Sequence, residues 1–196
     1  FGGGMFGDIF HNMRGAHNVR RNRDLNIQCQ ITLLDSFLGK ELEATYNLPS
    51  GKPQTVSIKL PAGIAHGDTI RYSGLGDDSI PQFPRGNLNV TVHVIPDANF
   101  ERRGDDLYTT IEISPIEAMI GCKKSIKTIT GMAINLDLRA GLESGIEFAS
   151  PNNGFENVNL PGRKGRFVTI VKIKTPAIVD PTLIAKLKDI DAQISK

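Results

Sequence analysis

The chain has 196 residues, of which 39% are hydrophobic, 22% charged and 6% aromatic. No run approaches the roughly 18 to 20 uncharged apolar residues of a membrane helix, and the opening Phe1-Gly2-Gly3-Gly4 lacks the basic and apolar regions of a secretory signal, so the sequence reads as cytoplasmic with no membrane contact. Lys and Arg number 23 against 21 acids; Arg14, Arg20, Arg21 and Arg23 against Asp8 alone put +3 in the first 23 residues and leave the remainder at −1, a balance that argues against nucleic acid as a partner.

Residues 1–22 mix glycine, phenylalanine and arginine with neither helical nor strand period, which predicts a mobile linker. The chain opens on a residue other than Met in mid-composition, as a piece of something longer would. From Asp24 the pattern changes to period two, the mark of half-buried strands. Leu25, Ile27, Cys29 and Ile31 alternate with Asn26, Gln28 and Gln30. Leu42, Ala44 and Tyr46 alternate with Glu41, Glu43 and Thr45, and the spacing recurs at Val56, Ile58 and Leu60 and at Leu88, Val90, Val92 and Val94. Turns fall between these runs, at Pro49-Ser50-Gly51, Pro61-Ala62-Gly63 and Gly74-Leu75-Gly76.

Three blocks then recur in order. Leu34–Lys40 corresponds to Ile116–Cys122 at an offset of 82, and Leu60–Gly67 to Leu138–Gly145 at an offset of 78. Arg85–Val90 corresponds to Lys164–Thr169. Blocks kept in order at nearly constant offset predict a tandem duplication: a mostly β chain of two similar sandwich-like domains with short helices, over 23–100 and 101–178. Over 179–196 the period changes again. Asp180 offers an N-cap and Pro181 stands at the first helical position, while Leu183, Ile184, Leu187, Ile190 and Ile194 form one apolar stripe. That predicts a single amphipathic helix, which caps the second domain or meets a partner.

Catalytic chemistry is not evident in these residues. His11, His17, His66 and His93 are scattered, and His93 occupies a polar strand position. Asp77-Asp78 and Asp105-Asp106 adjoin glycines in turn-like sequence without the spacing of a calcium loop. Cys29 and Cys122 match no C-x-x-C spacing, so neither a metal site nor a disulfide is expected, and no cofactor motif is found. Ile27, Cys29, Leu42, Ala44 and Tyr46 have two readings, as plain core or as the floor of a groove for apolar segments of other chains. Their spacing leaves both open.

Leu60-Pro61-Ala62-Gly63 through Ile70-Arg71, followed by Gly74-Leu75-Gly76, resembles a segment of DnaJ-type co-chaperones. Gly86-Asn87-Leu88, Asn99–Leu107 and Pro115–Gly121 are similar to further motifs of that family, and the Gly/Phe tail with Asp8-Ile9-Phe10 resembles its linker. The resemblance runs over essentially the whole chain. No His-Pro-Asp J domain is present, and 39–60 carries no C-x-x-C-x-G-x-G repeat, which places the likeness with class B members lacking zinc fingers. The resemblance implies a co-chaperone body that binds unfolded polypeptides and delivers them to a DnaK-type ATPase. The client groove would lie in the first domain, lined by Ile27, Cys29, Leu42, Ala44, Tyr46 and Val90. It also implies a clamp-like homodimer joined through Leu183, Ile184, Leu187 and Ile190. Eukaryotic class B members carry lysines where Leu42 and Glu43 stand here, so an acidic tail of the ATPase would lose charge-assisted contacts each worth roughly 1.5 to 3 kcal/mol, with Lys40 and Lys59 as partial substitutes. The competing expectation is a double β-sandwich scaffold module with no affinity for unfolded chains.

Overall fold

The computed structural model describes residues 21–194; the linker expected over 1–22 lies outside them up to residue 20. The chain is mostly β, as its alternation predicts. Its first part runs β1 (Leu25–Ile31), α1 (Leu33–Leu38), β2 (Lys40–Asn47), β3 (Pro53–Leu60), β4 (Thr69–Tyr72) and β5 (Leu88–Val94). After β6 (Phe100–Arg103) the same order returns as β7 (Asp106–Ile113), α2 (Pro115–Ile120), β8 (Cys122–Lys127), β9 (Ala133–Leu138), β10 (Glu147–Ser150) and β11 (Phe167–Ile173). The chain closes on α3 (Pro181–Ile194).

The duplication extends to hydrogen-bonding pattern. β1 pairs with β5 in parallel and β4 with β5 antiparallel, and β7, β11 and β10 repeat that arrangement. β2–β3 and β8–β9 are two-stranded sheets. Both short helices begin with a reciprocal cap: the Thr32 hydroxyl accepts from the Asp35 amide and the Asp35 carboxylate from the Thr32 amide, as Ser114 and Glu117 do in α2. Gly39 and Gly121 end the two helices at φ 79° and 83°, a region closed to most side chains. The change of offset has a local cause. β2 and β3 have 8 residues each and β8 and β9 have 6 each, around turns with the same hydrogen bonds, so the second hairpin is two residues shorter in each arm.

Two compact units form. One takes in the described residues up to Ile31 with Glu41–Leu60 and Ala65–Val94; the other takes in Thr32–Lys40, Pro61–Ile64 and the chain from Ile95. In the first, Val56, Ile58, Leu60, Leu88, Val90 and Val92 are buried. The outward face of its three-stranded sheet is polar, with Asn26 bonded to Asn89 and Thr69 to Thr91. In the second, Ile113, Ala118, Leu138 and Val171 form a core against Ile111, Cys122, Leu136 and Phe148, so hairpin and sheet pack face to face. Arg102 holds α1 in this unit by donating to the carbonyls of Gly63 and Ile64 at 2.7 Å each and to the Ser36 hydroxyl at 3.3 Å.

Candidate functional site

In the first unit the sheet order is β1-β5-β4, and β2 and β3 make the facing hairpin. The Tyr72 hydroxyl at the end of β4 donates to the Lys59 carbonyl on β3 at 3.1 Å, and the Tyr46 hydroxyl of β2 to the Leu75 carbonyl after β4, so both ties join the hairpin to the β4 side of the sheet. Burial differs between the strands. β3 and β5 hold fully covered side chains, whereas the inward residues Ile27 and Cys29 of β1 and Leu42, Ala44 and Tyr46 of β2 are all half-buried. β1 and β2 therefore each leave apolar side chains partly open to solvent. Both strands have their outer edges unpaired among the described residues.

Of the six groove residues expected from sequence, Ile27, Cys29, Leu42, Ala44 and Tyr46 are half-buried on the two strands whose outer edges are unpaired among the described residues. Val90 pairs in register with Ile27 and lies in the central strand at 0% exposure, out of reach of solvent. Tyr46 is fixed by its hydroxyl, which donates to the Leu75 carbonyl at 2.5 Å; burial pushes its phenol above the ordinary value against a smaller opposing effect of Arg85. Arg85 itself is held by Gln54 and the Gly76 carbonyl.

The second unit differs at each equivalent position. β6 pairs antiparallel with β7 and covers the edge that β1 leaves free. Thr109 and Ile111 stand where Ile27 and Cys29 do, and Thr109 donates to the Asn99 carbonyl beside β6. Lys124 replaces Leu42 and is paired with Glu117 at 2.6 Å, while Tyr46 has no counterpart in the shorter hairpin. An apolar cleft of about 290 Å³ lies on the other side of this sandwich, lined by Ile126, Ile134, Leu136, Phe148 and Phe167, where Ser150 takes the place of Tyr72.

The remaining expectations place as follows. In α3 the Thr182 amide donates to Asp180 at 2.7 Å, so the N-cap forms; Leu183 and Ile190 are exposed, Ile184 and Leu187 half-buried, and no residue of the helix is fully covered. Asp77 accepts from the amide and hydroxyl of Ser79 and so serves its own turn, whereas Asp105 accepts from the Asn157 side chain 52 positions on. His93 meets His66 edge to face at 5.0 Å. Sequence reasoning missed Asn22, buried at 4%, whose side chain bonds both the amide and the carbonyl of Ile80 and the carbonyl of Phe83. Its only signal was an amide just before a strand.

The fold and these strands define a class: a tandemly duplicated β protein with apolar side chains left partly open on β1 and β2 of its first copy. A family model described as the DnaJ C terminal domain matches residues 25–176, and the chain belongs to that family. It is similar to Chaperone protein DnaJ 2 of Streptomyces coelicolor, 34% identical over 128 residues that make 65% of this chain and 33% of that protein. It is also similar to Chaperone protein DnaJ of Macrococcus caseolyticus, 37% identical over 64% of this chain and 33% of that protein. The Curved DNA-binding protein of Pseudomonas putida is 27% identical over 92% of this chain and 63% of its own length. The chain thus spans from a third to under two thirds of these relatives. Among the described residues no helix is long and apolar enough to cross a membrane.

Proposed function

We propose that the chain is the client-binding body of a cytoplasmic DnaJ-type co-chaperone, with 23–100 as its binding domain, 101–178 as a second domain and 179–196 as a dimerisation helix. An unfolded polypeptide lies extended in the opening between β1 and β2 and is passed to a DnaK-type ATPase. The observation that carries this reading is the contrast between the copies: the apolar edge open at Ile27, Cys29, Leu42, Ala44 and Tyr46 is covered by β6 and substituted by Lys124 in the duplicate. Main-chain bonds to a free edge give affinity without sequence preference, and an apolar floor takes alternate side chains of the guest. One site is weak, because ordering a flexible guest costs several kcal/mol; two on a homodimer joined through Leu183, Ile184, Leu187 and Ile190 act together. With −1 over 24–196, the body offers no basic footprint for DNA.

Suppression of aggregation of a denatured reporter protein tests the proposal. Leu42→Asp and Tyr46→Asp each put a carboxylate in the opening and should abolish suppression while the circular dichroism spectrum stays unchanged. Folded variants that suppress as well as the parent would refute the groove and favour the scaffold reading.

A further inference from the structure

Resting on that reading of the β1–β2 opening, the geometry of β2 points, we propose, to a particular class of guest: extended segments in which apolar residues alternate with Lys or Arg. β2 presents Leu42, Ala44 and Tyr46 inward and Glu41, Glu43 and Thr45 outward, at the free edge of a two-stranded sheet. Glu41 and Glu43 are exposed, and neither is paired with a cation among the described residues; Glu41 accepts only from the Ser57 hydroxyl at 2.8 Å. The cation on the same strand, Lys40, is engaged with Asp35 at 3.0 Å. The exposed residues of β1 within the strand, Asn26, Gln28 and Gln30, are all neutral.

A strand added along β2 has its side chains in the same alternation, because successive residues point to opposite faces. Residues opposite Leu42, Ala44 and Tyr46 enter the opening, and those opposite Glu41 and Glu43 stand on the outer face as cross-strand pairs. Opposite charges in such pairs attract and like charges repel. The same carboxylates keep the β2 edges of two copies from pairing, since antiparallel union would bring glutamates beside glutamates. The charge that excludes a second copy thereby selects guests of opposite sign and disfavours acidic segments.

Three short labelled peptides test this against the whole chain by fluorescence anisotropy. All share alternating Leu, Phe and Val, and the intervening residues are Lys, Gln or Glu. The Lys peptide should bind about tenfold more tightly than the Glu peptide at low salt, with Gln between, from two cross-strand pairs reversed in sign. The gap should close at about 0.5 M salt, where exposed charges are screened. In the double variant Glu41→Lys, Glu43→Lys the order should invert; both side chains are exposed, and Glu43→Gln alone should halve the parent's gap between the Lys and Glu peptides. Equal binding of all three peptides, or an unchanged order in the double variant, overturns the charge selection while loss of binding in Leu42→Asp still upholds the opening itself. Undiminished binding of every peptide to folded Leu42→Asp overturns both.

Discussion

The guanidinium of Arg102 lies 4.2 Å from the centroid of the Phe155 ring, and Phe37 of α1 meets the same ring edge to face at 5.2 Å. Phe155 is fully buried, so one aromatic ring is clamped between a cation and a helix. Arg102 also donates to Ser36, Gly63 and Ile64 through its two terminal nitrogens and to the Gly104 carbonyl through Nε. A point ammonium cannot reproduce that fork. Arg102→Ala should cost about 3 kcal/mol and Arg102→Lys about half as much, from charge-assisted bonds and the stacked ring together, as read by urea denaturation. Equal stability of Arg102→Lys and the parent would show the fork geometry to be idle.

Gly63 supplies two of the conditions for that clamp. Its φ of 83° suits glycine, and a Cβ there would collide with the Glu156 carbonyl, a backbone atom that cannot swing away. Gly63→Ala should therefore destabilise the protein by at least about 2 kcal/mol, more than the left-handed backbone alone accounts for. Gly51, at φ 81° with nothing near its missing Cβ, is the control and should lose only about 1 kcal/mol.

The motif around Arg102 was readable as a pattern in the sequence, but its purpose was not. Apart from the Gly104 carbonyl two residues on, the acceptors of its guanidinium lie 38 to 66 positions away, and no local period reports such a contact. Alternation did give the strands, because half-burial acts on every second residue wherever the partner strand lies. For the same reason it said only that Ile27, Leu42 and Val90 share an apolar character, and not that Val90 sits in a central strand while the other two flank an open edge. Four residues of β6, Phe100-Glu101-Arg102-Arg103, have too short and too charged a pattern to announce a strand, yet their pairing with β7 is what distinguishes the two copies. The duplication was legible from glycines because their backbone conformations cannot be met by other residues at the same cost.

Tyr46 combines a role in the opening with one in the loop after β4, and the two can be separated. Tyr46→Phe removes the hydroxyl that donates to the Leu75 carbonyl and keeps the ring. Stability should fall by about 1 kcal/mol, the usual net worth of a neutral hydrogen bond, and peptide affinity should stay within about twofold. A large loss of affinity in this variant would mean that the hydroxyl, and not the ring, meets the guest.

No residue of α3 is fully covered in this chain, so its removal uncovers little core. A chain ending before Asp180 should melt within a few degrees of the parent, yet its mass by sedimentation should be halved if the stripe Leu183, Ile184, Leu187 and Ile190 joins two copies. An unchanged mass would assign the helix another partner. Isolated helices of this length are marginal in water, which is why a stripe left partly exposed at Leu183 and Ile190 argues for a neighbour.

Acid should unfold the protein through a defined set of carboxylates. The amide and then the side chain of Asn87 hold Asp24 below the usual aspartate value of 3.8, the Ser79 hydroxyl and amide do the same for Asp77, and Arg166 for Asp106. Lys124, followed by the Ser114 amide, holds Glu117 below 4.5. Each group has a folded pKa depressed relative to the unfolded chain, so its contribution is present in full above the unfolded value and is lost as pH falls through the folded one. The thermal midpoint should therefore be insensitive to these groups between about pH 6 and 8, begin to fall near pH 4.5, where Glu117 of the unfolded chain takes up a proton while the folded one still resists, and fall further below 3.8. Asp106→Asn removes the partner of Arg166 and should lower the midpoint at neutral pH while leaving it nearer the parent's at pH 3. Melts by circular dichroism across this range decide it, and a difference between variant and parent that stays constant with pH would show that Asp106 acts through its shape and not its charge.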